Sequence, residues 1–210
     1  MNTSSAAAPP PVEPPFFPVV VTRKAAVAKD TYWFELRHPE GLPLPAFTPG
    51  SHLTVQVPQG ARRNYSLCGD ASNTAAYEIA VKRDALGRGG SIEMVDEVHE
   101  GDILQISVPR NNFELHPRAA NFLFIAGGIG ITPILSMMRH LKARKRGQFR
   151  LIYCTRDPES TAFLDALTGS EFAGQVEATT TTATSTTRST SGRYSRRRAT
   201  RMSTAAGRRD

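Results

Sequence analysis

Residues 121–133 read NFLFIAGGIGITP, and how this stretch is parsed decides the fold. Phe122 to Ala126 is a continuous apolar run of strand length, and glycines follow at 127, 128 and 130. Thr132 and Pro133 then lead into ILSMMRHLKARKR, where Ile134, Leu135, Met138 and Leu141 share one helical face and Lys/Arg crowd the last turns. A buried-type strand, a glycine turn and a helix in succession are the context a dinucleotide phosphate loop requires. Pro133 suits the first helical turn, where its missing N–H is not needed. The glycines allow close backbone approach to a ligand. Their spacing is not the G-x-G-x-x-G fingerprint, and a tight strand-to-helix turn without a ligand would use the same residues.

Downstream, FRLIYCT (149–155) is a second buried-type strand and TAFLDALTG (161–169) a short helix ending at Gly169. The order β-α-β-α opens a parallel doubly wound domain. Arg156, just past the carboxyl end of that strand, is placed to meet a nicotinamide-side phosphate, or equally to pair with Asp157 or Glu159 at the surface.

Upstream, from Phe16 to about Phe113, the pattern is one of short strands. TYWFELRH, HLTVQVP, YEIAVKRD and GDILQISVP alternate or cluster β-branched and aromatic residues, separated by turns rich in Pro, Gly, Asn and Asp. Such spacing predicts a closed antiparallel barrel or sandwich. Arg63-Asn64-Tyr65-Ser66 follows one of these strands and offers a cation, an aromatic ring and a hydroxyl, the set a flavin needs; it also fits an ordinary strand with a surface Arg and a half-buried Tyr. Gly87-Arg88-Gly89-Gly90-Ser91 precedes a short helix, with Ser91 as its expected N-cap, and could close on a phosphate or serve as a plain turn. The histidines lack metal spacing and carry no assigned chemistry. Cys68 and Cys154 are expected as small buried or half-buried thiols, and no iron–sulfur spacing occurs.

With 210 residues the chain has room for one or two domains. No apolar run approaches the roughly 20 residues of a membrane span, no secretory signal is expected from MNTSSAAAPPPVEPP, and two cysteines suit a reducing cytoplasm. The net charge of +7 resolves into +1 over residues 1–176 and +6 over residues 177–210. That tail contains ten Thr, five Ser and eight Arg but no Leu, Ile, Val, Phe or Trp, so it is expected to add no strand to the sheet.

PGSHLTVQVPQGARRNYSLCGD, YEIAVKRDALGRGGSI, EGDILQISVPRNNFEL, FIAGGIGITPILSMMRHL and YCTRDPESTAFLDAL, in this order, closely resemble the phthalate dioxygenase reductase and vanillate demethylase reductase family. The resemblance runs from about Phe16 to Val176. It implies a six-stranded antiparallel flavin-binding barrel (16–117) and the first half of an α/β NAD(P)H-binding domain (118–176), while the small, polar and Pro-rich composition of residues 1–15 is expected to leave them disordered. Carried over residue by residue, Arg63, Asn64, Tyr65 and Ser66 would contact flavin, with Ser66 near its N5. Ala80, Val81 and Lys82 would line the flavin, and Gly89, Gly90 and Ser91 would bind its phosphate. Gly127, Gly128, Gly130, Thr132 and Pro133 would face the nicotinamide cofactor, with Arg156 on the NADH side. The implied activity is hydride transfer from NADH or NADPH to FMN, with FAD as the alternative. Single electrons would then pass to a two-iron two-sulfur cluster and a Rieske-type oxygenase component. No acid–base catalyst is implied, since the flavin carries the chemistry.

The family's ferredoxin domain and the end of its NAD(P)H domain have no counterpart in residues 177–210. Read one base earlier, the codons of Met202–Arg208 permit His-Val-Tyr-Cys-Cys-Gly-Pro, close to the expected family text. A frameshift near Val176 would therefore explain the tail, and would leave nicotinamide binding weak and native electron delivery impaired. The alternatives are a non-catalytic flavin-binding remnant, or a basic-tailed nucleic-acid binder, for which nothing in the barrel speaks.

Overall fold

The computed structural model describes residues 15–180 and 200–201. The Pro-rich start and the remainder of the Thr/Arg-rich tail, on which two of the expectations above fall, lie outside the described residues.

Strands β1 (Phe16–Ala28), β2 (Thr31–Arg37), β3 (Ser51–Gln56), β4 (Arg62–Ser66), β5 (Tyr77–Lys82) and β6 (Ile103–Ser107) form an antiparallel sheet in the order β4-β3-β6-β1-β2-β5. A two-residue pairing, β7 (Arg110–Asn111), lies against β3. The ends of this order meet just past β4, where Leu67 bridges Ile79 and the Cys68 N–H donates to the Glu78 carbonyl at 2.8 Å. Of the barrel or sandwich that alternation predicted, the structure is the barrel, with the six strands the resemblance implied, and closure removes its free edges. Inward positions such as Val19, Val21, Phe34, Leu36, Leu53, Val55, Ile79 and Ile106 are completely buried.

Helix α1 (Gly90–Asp96) packs Met94 and Val95 onto the same core. Its N-cap is Gly89, whose φ of 85° is one that only glycine adopts at little cost, and not Ser91 as the sequence suggested. Ser91 sits inside the helix, and its hydroxyl accepts the Asp84 N–H at 3.1 Å.

The second unit carries β8 (Asn121–Gly127), α2 (Ile131–Ala143), β9 (Gln148–Thr155), α3 (Leu164–Thr168) and β10 (Val176–Thr180). β8, β9 and β10 are parallel, and β11 (Thr200–Arg201) pairs antiparallel to β10. Val176–Thr180 lies along Leu151–Thr155, so the tail does contribute a strand, contrary to the expectation from its composition. Backbone pairing needs no apolar run, and Val176 and Ala178 pack inward from this strand.

Both helices cover one face of this sheet, burying Phe124, Ala126, Phe149, Leu151 and Tyr153 with Leu135, Met138 and Leu167. On the other face Leu123 and Ile125 are 61% and 66% exposed. Cys154 falls on that face too, alternating with buried Tyr153 and Thr155, and is exposed rather than buried; Cys68 is buried as expected. Among the described residues β8 is an edge strand. The two units are joined through Lys29 N–H to the Glu159 carbonyl (2.7 Å) and through Cys68 and Trp33, which pack into the α/β core. No described helix is long and apolar enough to cross a membrane.

Candidate functional site

Of the residues singled out in the sequence, Asn64, Ser66 and Pro133 line one cleft and Lys82, Gly128 and Arg156 line another, whereas Arg63, Tyr65 and the Gly89–Ser91 turn line neither. In β4, successive side chains alternate between the barrel wall and its outer surface. Tyr65 packs against the barrel core, and its hydroxyl lies 3.4 Å from the Gly90 carbonyl. Burial pushes its ionisation up to about 12, so the ring stays a neutral flat surface. Arg63 lies across the start of α1: a Cβ on Gly90 would fall 2.5 Å from its Nε, so only glycine lets the guanidinium reach this position. From there it donates to the Arg88 carbonyl at 3.1 Å and the Arg62 carbonyl at 2.9 Å. Asn64 accepts the Thr54 hydroxyl proton at 2.8 Å, which fixes its amide on the outer face.

Asn64 and Ser66 line a cleft of about 250 Å³ with Gly50, His52, Phe113 and Pro133. Pro133 belongs to the first turn of α2, so two residues of the barrel tetrapeptide and the start of the helix after the glycine turn share one cleft. Gly50, His52 and Phe113 were not predicted as site residues. His52 arrives by strand pairing with Ser66, and Gly50 by the close approach of the Phe113 carbonyl, which a Cβ on Gly50 would meet at 2.0 Å. The one signal in the sequence was the glycine of the TPGS turn, which adopts φ 96°.

A second cleft of about 350 Å³ is lined by Lys82 from β5 and by Gly128, Cys154, Thr155, Arg156 and Ser160 from the sheet. The side-chain volume missing at Gly127, Gly128 and Gly130 opens onto free space, with no atom within 4 Å of the place a Cβ would take. Gly128 has φ 48°, and its carbonyl accepts the Tyr153 hydroxyl at 2.9 Å, which anchors the turn on β9. Burial raises the Tyr153 phenol to about 12. Thr132, buried, spends its hydroxyl on the Ile129 carbonyl at 3.0 Å and so holds the turn's shape.

Arg156 makes no ion pair with Asp157 or Glu159, which leaves the guanidinium available to the cleft. Asp157 instead accepts the Ser160 N–H at 2.7 Å, and hydrogen bonds from Ser160 hold its carboxyl below the usual range. Of the three β5 positions expected to line the flavin, Lys82 lines the second cleft and not the one that holds Ser66, Ala80 is buried, and the Val81 side chain belongs to the barrel core. Gly89 and Ser91 shape the turn beneath Arg63.

The first cleft offers the hydroxyl of Ser66, and the second offers the cations Lys82 and Arg156 with the hydroxyl of Ser160 beside the open glycine turn; Arg63 and Tyr65 stand on the barrel outside both linings. Among the described residues no group of three or more His, Cys, Asp or Glu side chains could hold a metal ion.

Residues 18–115 match the family model of the oxidoreductase FAD-binding domain, and residues 124–204 that of the oxidoreductase NAD-binding domain. The phthalate 4,5-dioxygenase reductase subunit of Pseudomonas putida is 57% identical over 156 residues, covering 74% of this chain and 48% of the relative. The carnitine monooxygenase reductase subunit of Escherichia coli K12 is 44% identical over 152 residues, 71% of this chain and 47% of the relative. Among solved structures, phthalate dioxygenase reductase, described as a modular structure for electron transfer from pyridine nucleotides to a two-iron two-sulfur centre, superposes with a TM-score of 0.77. It is 52% identical, and the match covers 78% of this chain and 51% of that one. The chain thus spans about half the length of the relatives it matches.

Proposed function

The chain belongs to the oxidoreductases assembled from an FAD-binding and an NAD-binding domain, as a homologue of phthalate dioxygenase reductase and vanillate demethylase reductase, and from that premise we propose that it is an NAD(P)H-dependent flavin reductase. It would serve as the reductase of an oxygenase or demethylase system. The observation that carries this reading is the shared cleft, in which Ser66 of the barrel and Pro133 of the glycine turn stand on facing walls.

A bound flavin supplies the exchange of one hydride from a reduced nicotinamide for single electrons passed onward. The chain's own residues bind and orient. Arg63, with Gly89, Gly90 and Ser91 shaping the turn below it, would hold the flavin phosphate, and Tyr65 would supply the aromatic contact to the flavin. Asn64 and the backbone of Ala80 and Val81 border it, and Ser66 presents its hydroxyl toward the reacting edge. Gly127, Gly128 and Gly130 let the nicotinamide nucleotide lie against the backbone, while Thr132 and Pro133 fix the turn that faces the flavin. Lys82 and Arg156 meet the nucleotide's phosphates from opposite walls of the second cleft. FMN is the flavin proposed, as the resemblance implies, with FAD as the alternative. The onward acceptor would be an iron–sulfur centre that Cys68 and Cys154, the two cysteines of this sequence, do not supply, delivering to the oxygenase component.

The test is absorbance of the purified chain, identification of the extracted flavin, and anaerobic addition of NADH or NADPH. A yellow protein is expected, bleaching slowly on nucleotide addition in keeping with the weak nicotinamide binding implied by residues 177–210. A colourless chain that resists reconstitution with FMN and FAD would overturn the proposal.

A further inference from the structure

At the far end of α2 from the glycine turn, Arg139 crosses from the α/β unit to the barrel. Its Nη1 donates to the Cys68 carbonyl at 3.0 Å and to Glu78 Oε2 at 3.1 Å. The same carboxylate oxygen accepts the Trp33 indole N–H at 3.1 Å. Arg139 and Glu78 side chains are each 22% exposed, so the pair is largely withdrawn from water, where a charged hydrogen bond is stronger than at the surface. Gly69 leaves the room: a Cβ there would lie 3.1 Å from the Glu78 carboxyl carbon.

We propose that Arg139 is a positioning residue that sets the spacing between the barrel's Ser66 and the first turn of α2. The backbone it grips, at Cys68, lies two residues beyond Ser66, and α2 runs without interruption from Pro133 to Arg139. A helix is stiff over such a length, rising about 1.5 Å per residue, so holding Arg139 holds Pro133. One guanidinium therefore fixes both walls of the proposed flavin and nicotinamide cleft while touching neither ligand. Hydride transfer is sensitive to such spacing, since a misplacement of about 1 Å can cost on the order of 100-fold in rate.

The kinetic part rests on the flavin reductase reading; the spacing part does not, and the experiment separates them. Nitroxide labels are placed at Gln105→Cys and Arg144→Cys in a Cys154→Ser background, and the distance distribution is measured with Arg139 intact and as Arg139→Met. Emission of Trp33, the single tryptophan, reports on the loss of the contact in the same samples. The expected result is a broadened distribution and a shifted Trp33 emission, whether or not flavin is bound. In the flavin-loaded chain Arg139→Met should leave flavin affinity within about threefold. It should lower the limiting rate of flavin reduction about 10-fold or more, with partial recovery in Arg139→Lys. Glu78→Gln, which keeps an acceptor for Trp33, is the milder variant should Arg139→Met fail to fold, and the same changes are expected in weaker form. An unchanged distance distribution in the folded variant overturns the proposal, as does an unchanged limiting rate. A chain without flavin affinity overturns the functional reading and leaves the distance measurement decisive for the spacing.

Discussion

The barrel and the parallel sheet share one chain but finish their structures differently. In the barrel, β4 and β5 meet through Leu67 and Ile79, so the sheet has no edge and its core is enclosed on every side. In the α/β unit, three parallel strands bury one face under α2 and α3 while Leu123 and Ile125 on the other remain open to solvent. Parallel sheets ordinarily have both faces covered. Closure thus makes the barrel self-sufficient, whereas the sheet leans on the barrel through Trp33, Cys68 and the Lys29–Glu159 backbone bond. The site sits where the self-sufficient half supports the dependent one.

The contrast is broken most severely by Phe34→Ala. Its ring is wholly buried in the barrel, so the variant should lose about 3–5 kcal/mol in urea unfolding and take the sheet down with it. Should β8 and β9 keep their amide protection in that variant, the sheet is not the dependent partner. Next in size is Arg63→Ala. Loss of a charged phosphate partner is worth roughly 1.5–3 kcal/mol, so FMN affinity by fluorescence titration should fall roughly 10- to 100-fold with barrel stability little changed.

Tyr153→Phe removes the hydrogen bond to the Gly128 carbonyl, at a net cost of about 0.5–1.5 kcal/mol. Nicotinamide binding should weaken while flavin affinity holds. The same residue sharpens the contrast at alkaline pH. Its folded phenol is raised to about 12, above the ordinary value of about 10. Its contribution is therefore complete below pH ~10 and lost as pH rises through about 12, a loss that phenolate absorbance should follow in the parent and that should vanish from the α/β unit in Tyr153→Phe. The smallest effect is expected from Leu123→Lys on the open face. Stability should move by less than about 0.5 kcal/mol, while binding of a hydrophobic dye falls. A cost above about 2 kcal/mol would mean that this face is covered.

Those elements whose side chains meet a core of their own were legible in the sequence. Alternation at Phe34/Leu36 and Leu53/Val55 announced the barrel, and the helical face of Ile134, Leu135, Met138 and Leu141 announced α2. Where backbone geometry or a second element decides, the residues were silent. Gly89 caps α1 because its φ is positive, and Ser91's hydroxyl turns to Asp84 instead. Val176–Thr180 is a strand because Leu151–Thr155 offers it a ladder, which composition does not report. Cys154 is exposed because one face of its sheet is uncovered, a property of the whole layer. His52 and Phe113 entered the cleft through pairing and packing across β3, β4 and the junction. Motif reading found Ser66 and Pro133 separately, but their meeting depends on how the two units dock.

The pairing of β1 with β6 joins Phe16 to Ser107, the first barrel strand to the last. A chain leaving the ribosome must therefore hold β1 beside β2 with its other edge waiting until Ile103–Ser107 emerges, whereas β8 finds β9 within a short stretch. Barrel closure is the long-range, slow event and the α/β pairing the local, fast one. The half that is more complete once folded is the half that takes longer to assemble, and its unsatisfied β1 edge is the surface most in need of shielding during synthesis.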